Sequence, residues 1–221
     1  MKHTRIKICG ITRETDLAAA VAAGADAVGF VFYPKSPRYI TPQRAQQLCA
    51  LVPPFVTAVG LFVNEDAARV RETSRTAQLQ LLQFHGDEPP AYCAQFDLPY
   101  IKAARVTPSL DLLKFERQYN TARGILLDAF VEGYGGGGEV FDWNFIQKQI
   151  TGRGARYVVS GGLRPSNTGG AIEALRPFGV DVSSGVESAK GIKDAALIRQ
   201  FIAAVRAADD NIAKMAKDDA P

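Results

Sequence analysis

The chain has 221 residues, 47% of them hydrophobic, which is enough to build one large α/β domain or two small ones. Its net charge of +3 comes from scattered lysines and arginines, which argues against nucleic acid, and we expect no membrane partner. Three widely spaced cysteines fit no disulfide framework or CxxC site, and two histidines make a metal centre hard to build. No signal-peptide pattern precedes the first predicted strand, so we expect a cytoplasmic location.

Eight apolar or alternating segments are predicted as strands, and a helix-like segment follows each of them. The predicted strands are Arg5 to Cys9, Asp26 to Phe32, Val56 to Val63, Leu79 to Phe84, Pro99 to Ala104, Gly124 to Ala129, Ala155 to Ser160 and Gly179 to Ser183. The first two helices begin near Arg13, after a Thr12 cap, and at Pro42, after a Thr41 cap. The others are Glu65 to Thr76, Pro89 to Gln95, Leu110 to Tyr119, Trp143 to Ile150, Asn167 to Leu175 and Asp194 to Ala207.

Eight strand and helix units without a linker predict a single-domain (β/α)8 TIM barrel over residues 1–207. The competing architecture is a doubly wound open sheet, which usually has fewer strands and a GxGxxG turn after an early strand, where this sequence has none. Residues 208–221 are polar and rich in alanine, and we expect a helix extension or a disordered tail.

Two titratable side chains end predicted strands and are candidate catalytic groups. Cys9 stands before Gly10, and Asp128 ends an apolar run where an unpaired carboxylate would be costly. In a barrel, functional groups gather at the C-terminal ends of the strands, so the two could face one mouth as an acid and base pair. Cys9 could instead be a small core residue, and Asp128 a structural ion-pair partner. If Cys9 opens into a site, we expect it to have more thiolate character than Cys49 or Cys93.

Arg38 and His85 are candidate substrate-binding residues on two other strand ends. Arg38 lies in a loop stiffened by Pro34 and Pro37, where its guanidinium could clamp a carboxylate, although a lone loop arginine is often only solvated. His85 follows the fourth strand and could equally be a wall residue.

The last two strands end in loops that are candidates for phosphate binding. Their backbone N–H groups are freed by glycines next to helix starts, and these loops often bind phosphate in barrels. The candidate residues are Gly161, Gly162, Ser183, Ser184 and Gly185. After the sixth strand, the tract from Gly133 to Glu139 is predicted to be a mobile loop that closes over ligand.

The chain resembles the phosphoribosylanthranilate isomerase family over nearly its whole length. The resemblance is carried by Lys7 to Thr12, Ala27 to Phe30 with Ser36 to Arg38, Val59 to Phe62, Gln83 to Glu88, Leu127 to Asp128, Phe141 to Trp143 and Gly179 to Glu187.

This resemblance implies an Amadori rearrangement of N-(5-phosphoribosyl)anthranilate in tryptophan biosynthesis, with no cofactor. It implies that Asp128 acts as general acid on the furanose ring oxygen and that Cys9 acts as general base at C2. Arg38 matches the family position that pairs with the anthranilate carboxylate, while the glycine and serine loops hold phosphate. We expect a monomer or a homodimer that acts on a small phosphorylated substrate.

Three alternatives stay open at this point. Another phosphosugar barrel, such as indole-glycerol phosphate synthase, would share the phosphate loops but would use a lysine and glutamate set. A pentose-phosphate epimerase would need metal ligands that two histidines barely provide. A non-catalytic binding barrel would bind ligand without Cys9 and Asp128.

Overall fold

A computed structural model describes residues 3–129, 143–150 and 156–218. Its eight parallel strands pair in sequence order, and the first strand pairs with the eighth, so the sheet closes into a barrel. Closure confirms the predicted (β/α)8 barrel and excludes the doubly wound sheet, whose outer strands stay unpaired.

The bounds of the elements follow the sequence prediction to within a few residues, except that the last helix extends well past its expected end at Ala207. Strands β1 to β8 are Arg5–Cys9, Ala27–Val31, Thr57–Phe62, Leu81–Phe84, Tyr100–Val106, Gly124–Ala129, Tyr157–Ser160 and Gly179–Val182. Helices α1 to α8 are Glu14–Ala23, Pro42–Cys49, Ala67–Ala77, Pro90–Cys93, Leu112–Gln118, Trp143–Gln149, Thr168–Leu175 and Ala195–Asp218.

The sequence analysis missed a small hairpin after the barrel's last strand. A 3₁₀ turn, Ser184–Val186, leads into two short antiparallel strands, β9 (Glu187–Ala189) and β10 (Ile192–Lys193). These strands are two or three residues long, too short to show a period-2 pattern. The hairpin matters for function because it places Glu187 and Lys193 beside the C-terminal mouth of the barrel.

The Thr12 cap was predicted wrongly. Helix α1 starts after Arg13, which makes no side-chain cap, and the Thr12 hydroxyl instead donates a hydrogen bond of 2.8 Å to the carbonyl of Gly191. A tertiary partner in the hairpin loop therefore replaced the local one. The Thr41 cap is confirmed, since its hydroxyl oxygen accepts from the N–H of Arg44.

The main core lies between the strands and the helices, where alternate strand residues point outward. Ile6 and Ile8 of β1 are fully buried there, as are Ile198 and Phe201 on the inner stripe of α8. A second, smaller cluster comprises Leu81, Ile101, Ala103, Leu126 and Val158, which come from the alternate, inward-facing register of β4 to β7. The interior of the barrel is therefore packed at this level and polar toward its C-terminal end.

Helix α8 passes the expected domain boundary at residue 207 without a break. Ala208 is buried, and the Asp209 carboxylate accepts hydrogen bonds from the backbone N–H and the hydroxyl of Thr4. This contact ties the last helix to the start of β1. Among the helices that the structure describes, none is both long enough and apolar enough to cross a membrane.

Candidate active site

A cavity of about 650 Å³ opens at the C-terminal end of the barrel. Eight of the nine residues singled out from the sequence line it: Cys9, Arg38, His85, Asp128, Gly161, Gly162, Ser183 and Ser184. The ninth, Gly185, packs just outside, where a Cβ would collide with the carbonyl oxygen of Leu163. Gly185 is therefore needed for the close contact between the last two loops. The tract from Gly133 to Glu139 lies outside the described residues.

Cys9 is positioned by the end of β1 and by the turn at Gly10. Gly10 has a φ of +79°, and its N–H donates to the carbonyl of Gly29 over 2.9 Å. The Ser183 hydroxyl donates to the carbonyl of Cys9 over 3.1 Å. The Cys9 residue is only 5% exposed, although it lines the cavity.

Burial and charge act in opposite directions on the acidity of the Cys9 thiol. Burial raises the pKa of Cys9 above its ordinary value, and the charge of Lys7 opposes that rise without cancelling it. Burial also raises the pKa of Cys49 to about 11 and that of Cys93 to about 12. All three thiols thus lose acidity by desolvation, and a lysine charge opposes that loss at two of them, Lys7 at Cys9 and Lys102 at Cys93.

Asp128 and His85 are in contact in the cavity. The sequence predicted them only at the ends of two different strands. Nε2 of His85 lies 3.1 Å from Oδ2 of Asp128, and Nδ1 of His85 lies 3.0 Å from Nε2 of Gln83. With the Gln83 amide donating to Nδ1, the imidazole carries its hydrogen on Nε2 and donates it to the carboxylate. Gln83 is fully buried on β4, so it fixes the direction of the ring.

A buried ion pair holds the loop that carries His85. Nζ of Lys102 lies 3.0 Å from Oε2 of Glu88, and both side chains are only 2% exposed. The same carboxylate accepts from the N–H of Asn64 over 2.8 Å and from the N–H of Gly86 over 3.0 Å. The ends of β3, β4 and β5 are therefore joined behind His85.

Arg38 lines the cavity but is partly engaged by the hairpin. Its Nε and Nη2 donate to the two carboxylate oxygens of Glu187, each over 2.7 Å, and Nζ of Lys193 donates to the same carboxylate over 2.8 Å. Burial acts to raise the pKa of Glu187, but these hydrogen bonds outweigh it and hold the pKa below its usual value. The guanidinium is thus oriented by Glu187 through one edge.

The last two loops form the wall of the cavity beside Cys9. Gly161 and Gly162 both have positive φ, 85° and 64°, and the side-chain amide of Asn167 donates to the carbonyl of Gly162. On the neighbouring loop, the hydroxyl of Ser183 and the exposed Ser184 face the same space. This wall therefore presents two consecutive left-handed glycines and two serines to the cavity.

Sequence reasoning missed a buried ion pair below Cys9. Nζ of Lys7 lies 2.9 Å from Oδ1 of Asp181, and their side chains are only 7% and 5% exposed. The signal was present, because a charge stands inside each of two short apolar strands, as it does at Asp128. Gln83 was likewise missed, although it interrupts the apolar run of β4.

A closed eight-stranded barrel with titratable groups at its C-terminal mouth belongs to the class of (β/α)8-barrel enzymes. A family model described as N-(5'-phosphoribosyl)anthranilate (PRA) isomerase matches residues 6–204. The chain belongs to this N-(5'-phosphoribosyl)anthranilate isomerase family.

Individual relatives agree with the family match over more than nine-tenths of the chain. The N-(5'-phosphoribosyl)anthranilate isomerase of Dechloromonas aromatica is 59% identical over 209 residues, which cover 95% of this chain and 99% of the relative. A crystal structure of phosphoribosyl anthranilate isomerase from Thermotoga maritima has a TM-score of 0.84 and 44% identity, covering 92% of this chain and 99% of that one. A phosphoribosyl anthranilate isomerase in complex with reduced 1-(o-carboxyphenylamino)-1-deoxyribulose 5-phosphate has a TM-score of 0.78 and 41% identity, with coverage of 92% and 99%.

The activity expected from the resemblance is confirmed at the level of the reaction. The chain is an aldose–ketose isomerase of tryptophan biosynthesis that rearranges N-(5-phosphoribosyl)anthranilate. The synthase, epimerase and binding-module alternatives are set aside by these matches.

Proposed function

We propose that Asp128 is the general acid and Cys9 the general base of this rearrangement. The observation that carries the proposal is that both side chains line one cavity, each next to a group suited to its task. Asp128 is bonded to His85, and Cys9 has the ammonium of Lys7 nearby. A positioned acid or base contributes about 10²- to 10⁴-fold to a rate.

Asp128 acts in the ring-opening step. The protonated carboxyl gives its proton to the furanose ring oxygen as the C1–O bond breaks, which leaves a hydroxyl on C4 and an iminium between C1 and nitrogen. The contact between His85 Nε2 and Asp128 Oδ2 orients the carboxyl group in this step.

Cys9 acts in the proton abstraction that follows. Its thiolate takes the proton from C2, and the C–H electron pair forms the C1=C2 bond while the iminium nitrogen becomes a neutral amine. The resulting enaminol then loses its C2 hydroxyl proton and gains a proton at C1, which gives the ketone. A net proton transfer from the Cys9 thiol back to Asp128, through water, resets the enzyme.

The remaining residues bind the two anionic ends of the substrate. Arg38, held through one edge by Glu187, pairs with the ring carboxylate through the rest of its guanidinium, and His85 lines the cavity beside Asp128. The loops with Gly161, Gly162, Ser183, Ser184 and Gly185 hold the phosphate.

The variants Asp128→Asn and Cys9→Ser test the acid and base assignment. Each should lower kcat by about 10²- to 10⁴-fold, because each removes one proton-transfer group and keeps its shape. Cys49→Ser is the matched control, since Cys49 ends α2 and does not line the cavity. The melting temperature of every variant shows whether folding is intact. Near wild-type turnover in either site variant would show that its residue moves no proton.

The oligomeric state is a further proposal. A solved relative from Thermotoga maritima is described as monomers generated from a dimeric phosphoribosylanthranilate isomerase. In this chain Phe55 is fully exposed beside an apolar cavity at the N-terminal end of the barrel, lined among others by Val59, Leu81 and Phe178, and we propose this patch as the interface of a homodimer. Light scattering should then give a dimer mass for the wild type and a monomer mass for Phe55→Ser, and two equal masses would contradict the proposal.

A further inference from the structure

We propose that Lys7, held in place by Asp181, is a positioning residue whose ammonium stabilises the Cys9 thiolate during catalysis. The inference deepens the proposed function, because it rests on Cys9 as the base. Lys7 would touch no reacting atom and would act only through the sulfur of Cys9.

The geometry of β1 brings Lys7 close to Cys9. Strand side chains alternate, so Lys7 and Cys9 both point into the barrel, one layer apart. On the neighbouring strand β2, the residue that pairs with Cys9 is Gly29, which has no side chain to fill the space beside them. A Cβ on Gly29 would lie 2.9 Å from Sγ of Cys9 and 3.0 Å from Nζ of Lys7. The thiol and the ammonium thus share the space that the missing side chain of Gly29 leaves open.

Lys7 is charged where it lies. Burial acts to lower the pKa of Lys7, but the carboxylate of Asp181 and the sulfur of Cys9 together outweigh it and raise the pKa above its usual value. Asp181 in turn accepts from the hydroxyl of Ser160 over 3.4 Å. A cation so deeply buried is costly unless it is paired, and the carboxylate of Asp181 pairs with it. The ammonium has three N–H donors, so this pairing leaves donors for other acceptors.

Several charged side chains set the electrostatic field at the sulfur of Cys9. These charged groups come from five different elements and interact with the sulfur or with one another. They are Lys7 on β1, Asp181 on β8, Lys193 on β10, Arg38 in the loop after β2 and Glu187 on β9. Glu187 pairs with Arg38 and with Lys193, which offsets much of their charge. Burial raises the pKa of Cys9, and among the charges the one that lowers it most is Lys7, ahead of the opposing effect of Asp181.

The chemical consequence follows from where the negative charge goes. Before abstraction the charge sits on Cys9 as a thiolate in a low-dielectric site, and it leaves the sulfur when the C2 proton arrives. Lys7 keeps its own proton throughout and gives a larger thiolate fraction than burial alone would leave. Without Lys7, the largest charge effect that opposes burial would be lost and the thiolate fraction would fall.

The test measures the thiol directly and does not depend on turnover. Wild type and Lys7→Met are treated with iodoacetamide over a range of pH, and the alkylation rate at each cysteine is followed by peptide mass spectrometry. At about pH 8, the rate at Cys9 should fall by about tenfold or more in Lys7→Met, which corresponds to one pKa unit. The rates at Cys49 and Cys93 in the same sample should stay the same, and kcat should fall with little change in KM.

Lys102→Met is the matched control, because it removes another buried, paired lysine that does not line the cavity. It should leave the alkylation rate at Cys9 at the wild-type value even if it lowers stability. Lys7→Arg keeps the positive charge and should restore part of the rate that Lys7→Met loses. An unchanged rate at Cys9 in a folded Lys7→Met variant would overturn the proposal.

Gly29→Ala keeps the proposal testable if Lys7→Met fails to fold. The new methyl group would push between Nζ and Sγ while every ionisable group remains, so alkylation at Cys9 should slow in the same direction by a smaller factor. Equal or faster alkylation would overturn the role of Lys7. If the thiol responds as expected but Cys9→Ser keeps its turnover, the assignment of the base fails and the influence of Lys7 on the thiol stands.

Discussion

Replacing Arg38 by alanine should weaken the binding of ligands that carry the anthranilate carboxylate by roughly 10- to 160-fold. Glu187 engages Nε and Nη2 of Arg38 at 2.7 Å each, so the carboxylate of a ligand is left with the end of the guanidinium. A hydrogen bond to a charged group contributes about 1.5–3 kcal/mol, and about 1.4 kcal/mol is a factor of ten in affinity. The loss of that contact sets the expected range.

The assay compares two ligands by calorimetric titration. One is reduced 1-(o-carboxyphenylamino)-1-deoxyribulose 5-phosphate, and the other is the same compound without the ring carboxylate. Arg38→Ala should weaken the first by the stated factor and change the second by far less. Arg44→Ala is the matched control, since Arg44 lies on α2, pairs with the exposed Glu14 and does not line the cavity.

Equal losses for the two ligands would refute a direct contact between Arg38 and the carboxylate. Such a result would mean that Arg38 acts by holding the hairpin through Glu187. The variant Glu187→Gln would then reproduce the loss, although it leaves the guanidinium in place.

Two further outcomes are expected. Inorganic phosphate should compete with substrate, and Ser184→Asp should raise the inhibition constant of phosphate by about tenfold or more, because it adds a negative charge to the wall of the cavity. Ser188→Asp, outside that wall, should leave the constant unchanged. Non-competitive inhibition of the wild type would place the anion elsewhere. Because the pKa of Glu187 is lower in the folded state, its ionised form stabilises the fold at pH values above its unfolded-state pKa of 4.5. This contribution is lost as the pH falls through the lower pKa of the folded state. Urea unfolding should therefore show wild type more stable than Glu187→Gln at about pH 7, with the difference shrinking below about pH 4, and a constant difference would contradict it.

The sequence by itself determined the barrel and most of the cavity wall. Each strand has its own alternating or apolar run, and each run is followed by a helix signal, so the repeat of eight units could be read from local patterns. Because all parallel strands of a barrel end at one mouth, the strand-end residues Cys9, His85 and Asp128 could be placed together before any contact was known.

Only the tertiary structure decided which of these groups touch and which charges surround them. Lys7 and Asp181 are 174 residues apart in the chain, and Arg38 and Glu187 are 149 apart, so no local period links them. Thr12 had a plausible local role as a cap, yet a carbonyl 179 residues away took its hydroxyl. The acidity of Cys9 likewise depends on burial by other strands. This burial cannot be predicted from the position of Cys9 along its own strand. Periodicity fixes the direction of a side chain within its own element, whereas the balance of burial and charge around it comes from every element that packs against it.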